Sequence, residues 1–348
     1  MASSSSSAEP PARAVLEGVP KIGFHKHLCP FPGSLFACLT YLSDSPDYDY
    51  IMGVTGAAFR RLWNRDDGGN VDLMYLSPEP QRRAFWALGY DYQTIPATSR
   101  ATMVDAIKAS IGNGRPVLAF GIIGPPECGI VAGYDHDGDV LIGYSYFQDA
   151  SIHGYYEREN WFERAEFGDA GLGCIVIGDR LPRPTPRETL PPTLEWAIDL
   201  ARRPRRPGRT AETHLSGLAA YDGWANGLEV DADYPDTPES RSLRAMIHGD
   251  QATMLEERRS AARYLRAMGR VAPEAQEPLL EAADLYDQVA GQMGGIWRWG
   301  YDIGPEVGQG LLDPTLRRDI ARHVRAARDV ESRAVDQLEA ALATVKRG

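Results

Sequence analysis

Glu127 and Cys128 stand side by side in the stretch GPPECGIVAGYD, residues 124–135, and a thiol beside a carboxylate after two prolines can do chemistry. Deprotonated, Cys128 is a nucleophile able to attack an acyl carbon. Alternatively, Glu127 is a general base aimed at a hydroxyl such as Ser34, which a carboxylate can serve only if burial raises its pKa. The plain structural reading of the pair is a small buried cysteine next to a carboxylate that hydrogen-bonds a loop. Upstream, HKHLC sets His25, His27 and Cys29 two apart, so an extended chain presents all three on one face. Such a triplet can hold zinc at three points and leave the fourth for water. It can also supply a thiolate–imidazole couple, His27 with Cys29 or His25 with Cys128, in a groove that includes Ser34.

Other residues read as structure. Cys38 lies on the apolar side of a helical segment and Cys174 inside the apolar run GCIVIG, so both belong to a core. Asp135, in GYDHDGD, shapes a hairpin turn. GGIWRWGYD, residues 294–302, sets Trp297 and Trp299 around Arg298, either as an aromatic wall for a ligand or as a helix end plugging a core.

Positioning these groups falls to the elements around them. GSLFACLTYL, residues 33–42, has helical apolar spacing, and the preceding FPG supplies a turn and a start. YIMGVTGAAFRRLW reads as a second helix from about Thr55. SRATMVDAIKASIGNG is a helix capped by Ser99 and ended at Gly112. RPVLAFGII, GIVAGYD, DVLIGYSYF and LGCIVIGD follow as strands, the middle two joined by HDGD, where Gly138 supplies positive φ. RLPRPTPRETLPP has five prolines in thirteen residues and reads as a boundary. Beyond it every apolar pattern is helical, the first helix starting at a Thr193 cap and the last stripe running from Ile320 to Val345.

The bulk composition narrows the function classes. A net charge of −11 argues against nucleic acid or an anionic membrane as the main partner. RRPRRPGR, residues 202–209, is a local basic exception that two prolines make a solvated linker. The Ser-rich start lacks the apolar core of a secretion signal, and no apolar run spans a membrane. Four cysteines in so long a chain fit a reducing cytoplasm.

The order of nucleophile-bearing helix, further helices and a hairpin reading GYD…GDVLIGYS resembles the papain-like cysteine-peptidase fold over roughly residues 20–180. It is similar in particular to bacteriocin-leader peptidases and to the N-terminal domain of the butirosin-biosynthesis acyltransferase, through CLTYL in the first helix and IVAGYD plus GDVLIGYS in the hairpin. In such proteins a cysteine at the helix N-terminus is activated by the dipole, a histidine at the start of the hairpin takes its proton, and an Asp or Asn orients the histidine. Carried over, the nucleophile position falls on Ser34, the base on Glu127 or Cys128, and the orienting carboxylate near Gly143–Ser145, with Asp149 the nearest candidate. All three depart from the family pattern.

The expected architecture is a disordered tail (1–18), a papain-like α+β domain (19–180), a Pro-rich linker (181–192) and a helical bundle domain (193–348). The expected function is handling of a small acyl or peptidyl ligand. The site would comprise Cys128, Glu127, Ser34, Cys29 and His27, with Asp149, Trp297 and Trp299 contacting the ligand, and the reaction would be thiol-dependent acyl transfer or amide hydrolysis. The alternatives are a binding or sensing module that lost its triad, and a metal-dependent hydrolase using His25, His27 and Cys29. No cofactor is expected, and the helical half offers a surface for a homodimer.

Overall fold

In the computed structural model, which describes residues 11–24, 26–66, 77–148, 161–165, 167, 173–207, 213–298 and 306–347, the first long helix begins on a proline. From the N-terminus the elements are β1 (Ala14–Val15), α1 (Pro30–Tyr41), α2 (Tyr48–Thr55), β2 (Leu62–Trp63), α3 (Glu79–Leu88), β3 (Tyr90–Ile95) and α4 (Arg100–Gly112). Then come β4 (Val117–Phe120), β5 (Cys128–Asp135), β6 (Val140–Tyr144), β7 (Phe162–Arg164) and β8 (Gly173–Arg180). The remainder holds α5 (Pro186–Arg202), β9 (Arg205–Pro207), β10 (Thr213–Ser216), α6 (Leu218–Leu228), α7 (Pro238–Glu256), α8 (Arg258–Val271), α9 (Gln276–Gly291) and α10 (Pro314–Val345). An antiparallel sheet with helices is thus followed by a mostly helical region, which is not all-α because β9 and β10 pair with β2 in a three-stranded sheet.

The chain divides into two compact units that do not follow sequence order. The first joins the residues before Pro46 to the strands between Tyr90 and Arg180; the second joins Pro46–Gly89 to everything from Leu181 onward. The expected 19–180 domain therefore gives up residues 46–89. In the first unit the strands run β3-β8-β4-β5-β6-β7, and β1 pairs with β5 beyond the end of β4. Leu118 of the central β4 faces Ile130 on one side and Ile175 on the other. The uninterrupted apolar run there reflects burial on both faces. Val117, Ala119 and Val131 share a core with Met103, Ile107 and Ile111 of α4, while Phe120 stacks on Phe31 of α1 at 6.5 Å. The side chains of β4 thus alternate between the two helices. Ser99 caps α4 by accepting from Thr102 N at 3.3 Å. Gly138 takes φ 101° in the hairpin, and Asp135 accepts from His136 N at 2.7 Å.

Three of the expected helix limits are overturned, two of them at prolines. α1 starts at Pro30 because a first-turn proline forfeits no hydrogen bond and its fixed φ suits a helix. α5 starts at Pro186, not at Thr193, on a capping box in which Thr185 N donates to Glu188 Oε2 at 2.7 Å and Glu188 N to Thr185 Oγ1 at 3.3 Å. Pro191 and Pro192 lie inside this helix, so residues 181–192 are not a linker throughout. The carbonyls these prolines leave without a helical donor belong to Arg187 and Glu188, both exposed and open to water. The apolar segment after Asp47 is helical before Thr55 rather than after it, ending at Gly56 with φ 83°.

The second unit buries charge at its centre. Arg258 and Glu331 are both fully buried and doubly hydrogen-bonded, with Nε to Oε2 at 2.9 Å and Nη2 to Oε1 at 2.8 Å. Tyr221 donates its hydroxyl to the same carboxylate, and Arg60 pairs with buried Glu257. Arg61 lies over the Tyr221 ring at 4.1 Å and donates Nη1 to Gln251 Oε1 at 2.9 Å. Arg206, inside the expected basic linker, is buried in β9, donating Nε to Ser216 Oγ at 3.2 Å. α7 ends at Glu256 and α8 begins at Arg258, with the buried Glu257 between them.

His248 sits in the same core, with Nδ1 accepting from Trp224 Nε1 at 3.2 Å. Burial lowers its pKa from 6.5 to about 4. The folded state therefore resists the proton that the unfolded chain accepts. Stability from this group is complete above pH 6.5 and is lost as pH falls toward 4, amounting to about 3 kcal/mol. Urea midpoints of wild type and His248→Gln should converge on acidification over that window. Parallel acid lability of the two proteins would refute the assignment.

Candidate functional site

The N-terminal end of α1 is where the predicted nucleophile position is tested. Ser34 is not there; it lies one turn inside the helix, fully buried, and its hydroxyl donates to the Cys128 carbonyl at 3.2 Å. The residue at the helix end is Cys29, whose carbonyl accepts from Gly33 N at 3.0 Å. FPG, read from the sequence as a turn, is part of the helix, so Ser34 falls inside it. Of the first three helical residues, Pro30 and Pro32 have no N–H, so Phe31 alone can offer one.

Cys128 opens β5 on the α1 side of the sheet and is buried to 1%. Burial is the main cause that pushes its thiol well up, with Cys38 and Glu127 adding to the shift and the Ser34 hydroxyl opposing it. A thiol so placed stays protonated near neutrality. Burial also raises Cys38, and it pushes Cys174 up to about 12. Native alkylation at pH 8 should therefore label none of Cys38, Cys128 and Cys174, whereas urea should open all three; peptide mass spectrometry reads this directly. Fast native labelling of Cys128 would restore it as a nucleophile candidate.

Glu127 is half-buried just ahead of β5, its carbonyl accepting from Gly121 N at 3.1 Å. His27 is half-buried, with its ring edge-on to Phe36 at 4.9 Å. Its Cβ comes within 3.1 Å of where a side chain at Gly33 would begin, and the Tyr146 hydroxyl within 2.0 Å of the same point. His27 and Tyr146 therefore close on α1 at Gly33. Tyr146 was not singled out by the sequence. The one available signal is Gly33 itself, a glycine within an apolar helix, which marks a close approach.

The other predicted residues stand apart from this cluster. Asp149, His25 and Trp299 lie outside the described residues. Trp297 is 42% exposed, so that ring does not plug a core. With His25 outside the description, the His25–His27–Cys29 triplet is incomplete, and among the described residues no three His, Cys, Asp or Glu side chains gather closely enough to hold a metal ion. Among the described residues no helix is long and apolar enough to cross a membrane. No protein-family model matches the chain, and no curated protein matches its sequence.

Proposed function

We propose that the α+β unit is a papain-like domain that takes a small acyl or peptidyl ligand and works on it through the Cys29 thiol, by acyl transfer or amide hydrolysis. The observation that carries this reading is the identity of the residue at the start of α1. What supports it is that Cys29 opens α1, and papain-like proteins carry their nucleophilic cysteine at a helix N-terminus. A helix N-terminus favours thiolate over thiol. His27, against the same turn, is the candidate to take the thiol proton. Attack by the thiolate forms an S–C bond to the ligand's carbonyl carbon while the C=O pair moves to oxygen. Collapse then expels the amine or thiol, which takes the proton back from His27. Water or an acceptor amine releases the acyl group from Cys29.

A second reading, a binding module without catalysis, is favoured by the complete burial of Cys29. Incubation with an aryl thioester, followed by peptide mass spectrometry, separates the two. The first predicts an acyl adduct on Cys29 that disappears in Cys29→Ala and persists in Cys128→Ala. An unmodified Cys29 in a protein whose melting temperature the thioester raises would favour the second.

A further inference from the structure

Arg61 is fully buried in the second unit, yet one edge of its guanidinium is unused. Nη1 is anchored, donating to Gln251 Oε1 at 2.9 Å and to Gln251 O at 3.2 Å. The guanidinium carbon lies over the Tyr221 ring at 4.1 Å and over the Trp224 ring at 5.3 Å. Nε and Nη2, by contrast, have no hydrogen-bond partner. Buried donors are ordinarily satisfied by protein, by water or by an ion. These two lie side by side in the guanidinium plane and form the fork that grips a carboxylate through both oxygens. Arg258 gives the same two atoms to Glu331, and Arg65, Arg82 and Arg263 give theirs to Asp233, Glu79 and Asp49. Arg61 presents the fork to no side chain.

The charge around it is uneven as well. Arg60, Arg61 and Arg258 are buried with Glu257 and Glu331, three cations to two carboxylates. Glu257 pairs with Arg60, and the Glu331 oxygens accept from Arg258 and the Tyr221 hydroxyl. Burial disfavours the Arg61 cation, and Tyr221 and Glu331 offset part of that cost. A guanidinium cannot escape the remainder by losing its proton.

We infer that the free edge of Arg61 is a binding site for a small monovalent carboxylate, held through both oxygens by Nε–H and Nη2–H within the helical unit. A water molecule there satisfies the donors and leaves the charge, whereas a monoanion answers both. One excess positive charge matches a monocarboxylate better than a phosphate dianion, and the aromatic surroundings favour the anion that is cheaper to desolvate. Since Arg61 is closed off from solvent, the carboxylate enters when the core opens or folds and acts as a built-in counter-ion. The site is independent of the chemistry proposed for Cys29, which belongs to the other unit.

Formate is the probe. A ligand that binds only the folded chain stabilises it in proportion to its occupancy. The urea midpoint of the full-length protein should therefore rise with formate and level off, at an ionic strength held constant with sodium chloride. Arg61→Met should abolish this saturable rise. Arg61→Lys, which keeps the charge but not the two parallel donors, should need about tenfold more formate for the same rise, and it decides the matter if the methionine variant does not fold. Wild-type protein refolded in labelled formate and passed through a desalting column should retain about one formate per chain. A wild-type midpoint that responds to formate no more than to chloride would overturn the site. So would an unchanged response in either variant, or wild-type protein that retains no formate.

Discussion

Glu331→Ala should destabilise the protein by about 3–5 kcal/mol, enough to remove a large share of an ordinary domain's stability. The variant strands the Arg258 guanidinium, fully buried and unable to neutralise itself by losing its proton. In the wild type, Glu331 lowers the energy of that cation through two hydrogen bonds, and the remaining donors go to main-chain oxygens, Nη1 to Arg60 O at 2.8 Å and to Ala58 O at 3.1 Å. The Tyr221 hydroxyl loses its acceptor at the same time. Glu331→Gln, which keeps an acceptor oxygen but not the charge, should fall between. Replacing both partners, as Arg258→Met with Glu331→Leu, should recover most of the loss, because a buried ion pair is expensive to break but not to substitute with apolar groups. Urea unfolding of the four proteins tests this. A single alanine variant as stable as wild type would show that the pair is not holding the core.

An isolated 181–348 fragment should fail to fold, losing the whole of the cooperative transition, although the sequence suggests a self-contained bundle. The reason lies in residues 46–89. Arg258 grips the carbonyls of Ala58, Phe59 and Arg60, and Gln251 Nε2 donates to Leu62 O at 2.6 Å. Strand β10 pairs with β2 through Leu215–Trp63 and Ser216–Leu62. Trp63 also packs on the core built from Tyr221, Trp224 and Ile320. Without the 46–89 segment, buried donors face nothing and β10 loses that neighbour. Circular dichroism melts should be gradual for 181–348 and cooperative for the same residues fused to 46–89. A sharp melt of 181–348 alone would mean that its core closes without the segment.

Local signals were legible, and long-range ones were not. The Ser99 cap, the Gly138 turn and the buried β4 and β5 could be read directly because each depends on neighbours a few residues away. Prolines caused the misplaced starts of α1 and α5, since the same residue breaks a helix interior and begins a helix well. At α1 that ambiguity set the helix start too late, so Cys29 was not read as the residue that opens it. Nothing local marks Arg60 and Arg61 as buried, because their partners Glu257 and Gln251 lie 197 and 190 positions away. The burial of Cys29 likewise had no local marker, and the approach of Tyr146 to α1 had none apart from Gly33.

The interrupted second unit has a consequence for synthesis. The chain passes through residues 46–89 early, builds strands β3 to β8 of the other unit, and returns only after Leu181. Arg60 and Arg61 therefore leave the ribosome long before Glu257 and Gln251 exist to receive them. At roughly 5–20 residues per second, tens of seconds separate the two events. During that interval their charges keep the nascent segment hydrated, so the polarity that is costly in the finished core protects the unfinished chain from premature association. Helix α10, which carries Glu331, completes the set of buried partners, so the helical unit reaches its full stability only once that helix has been made.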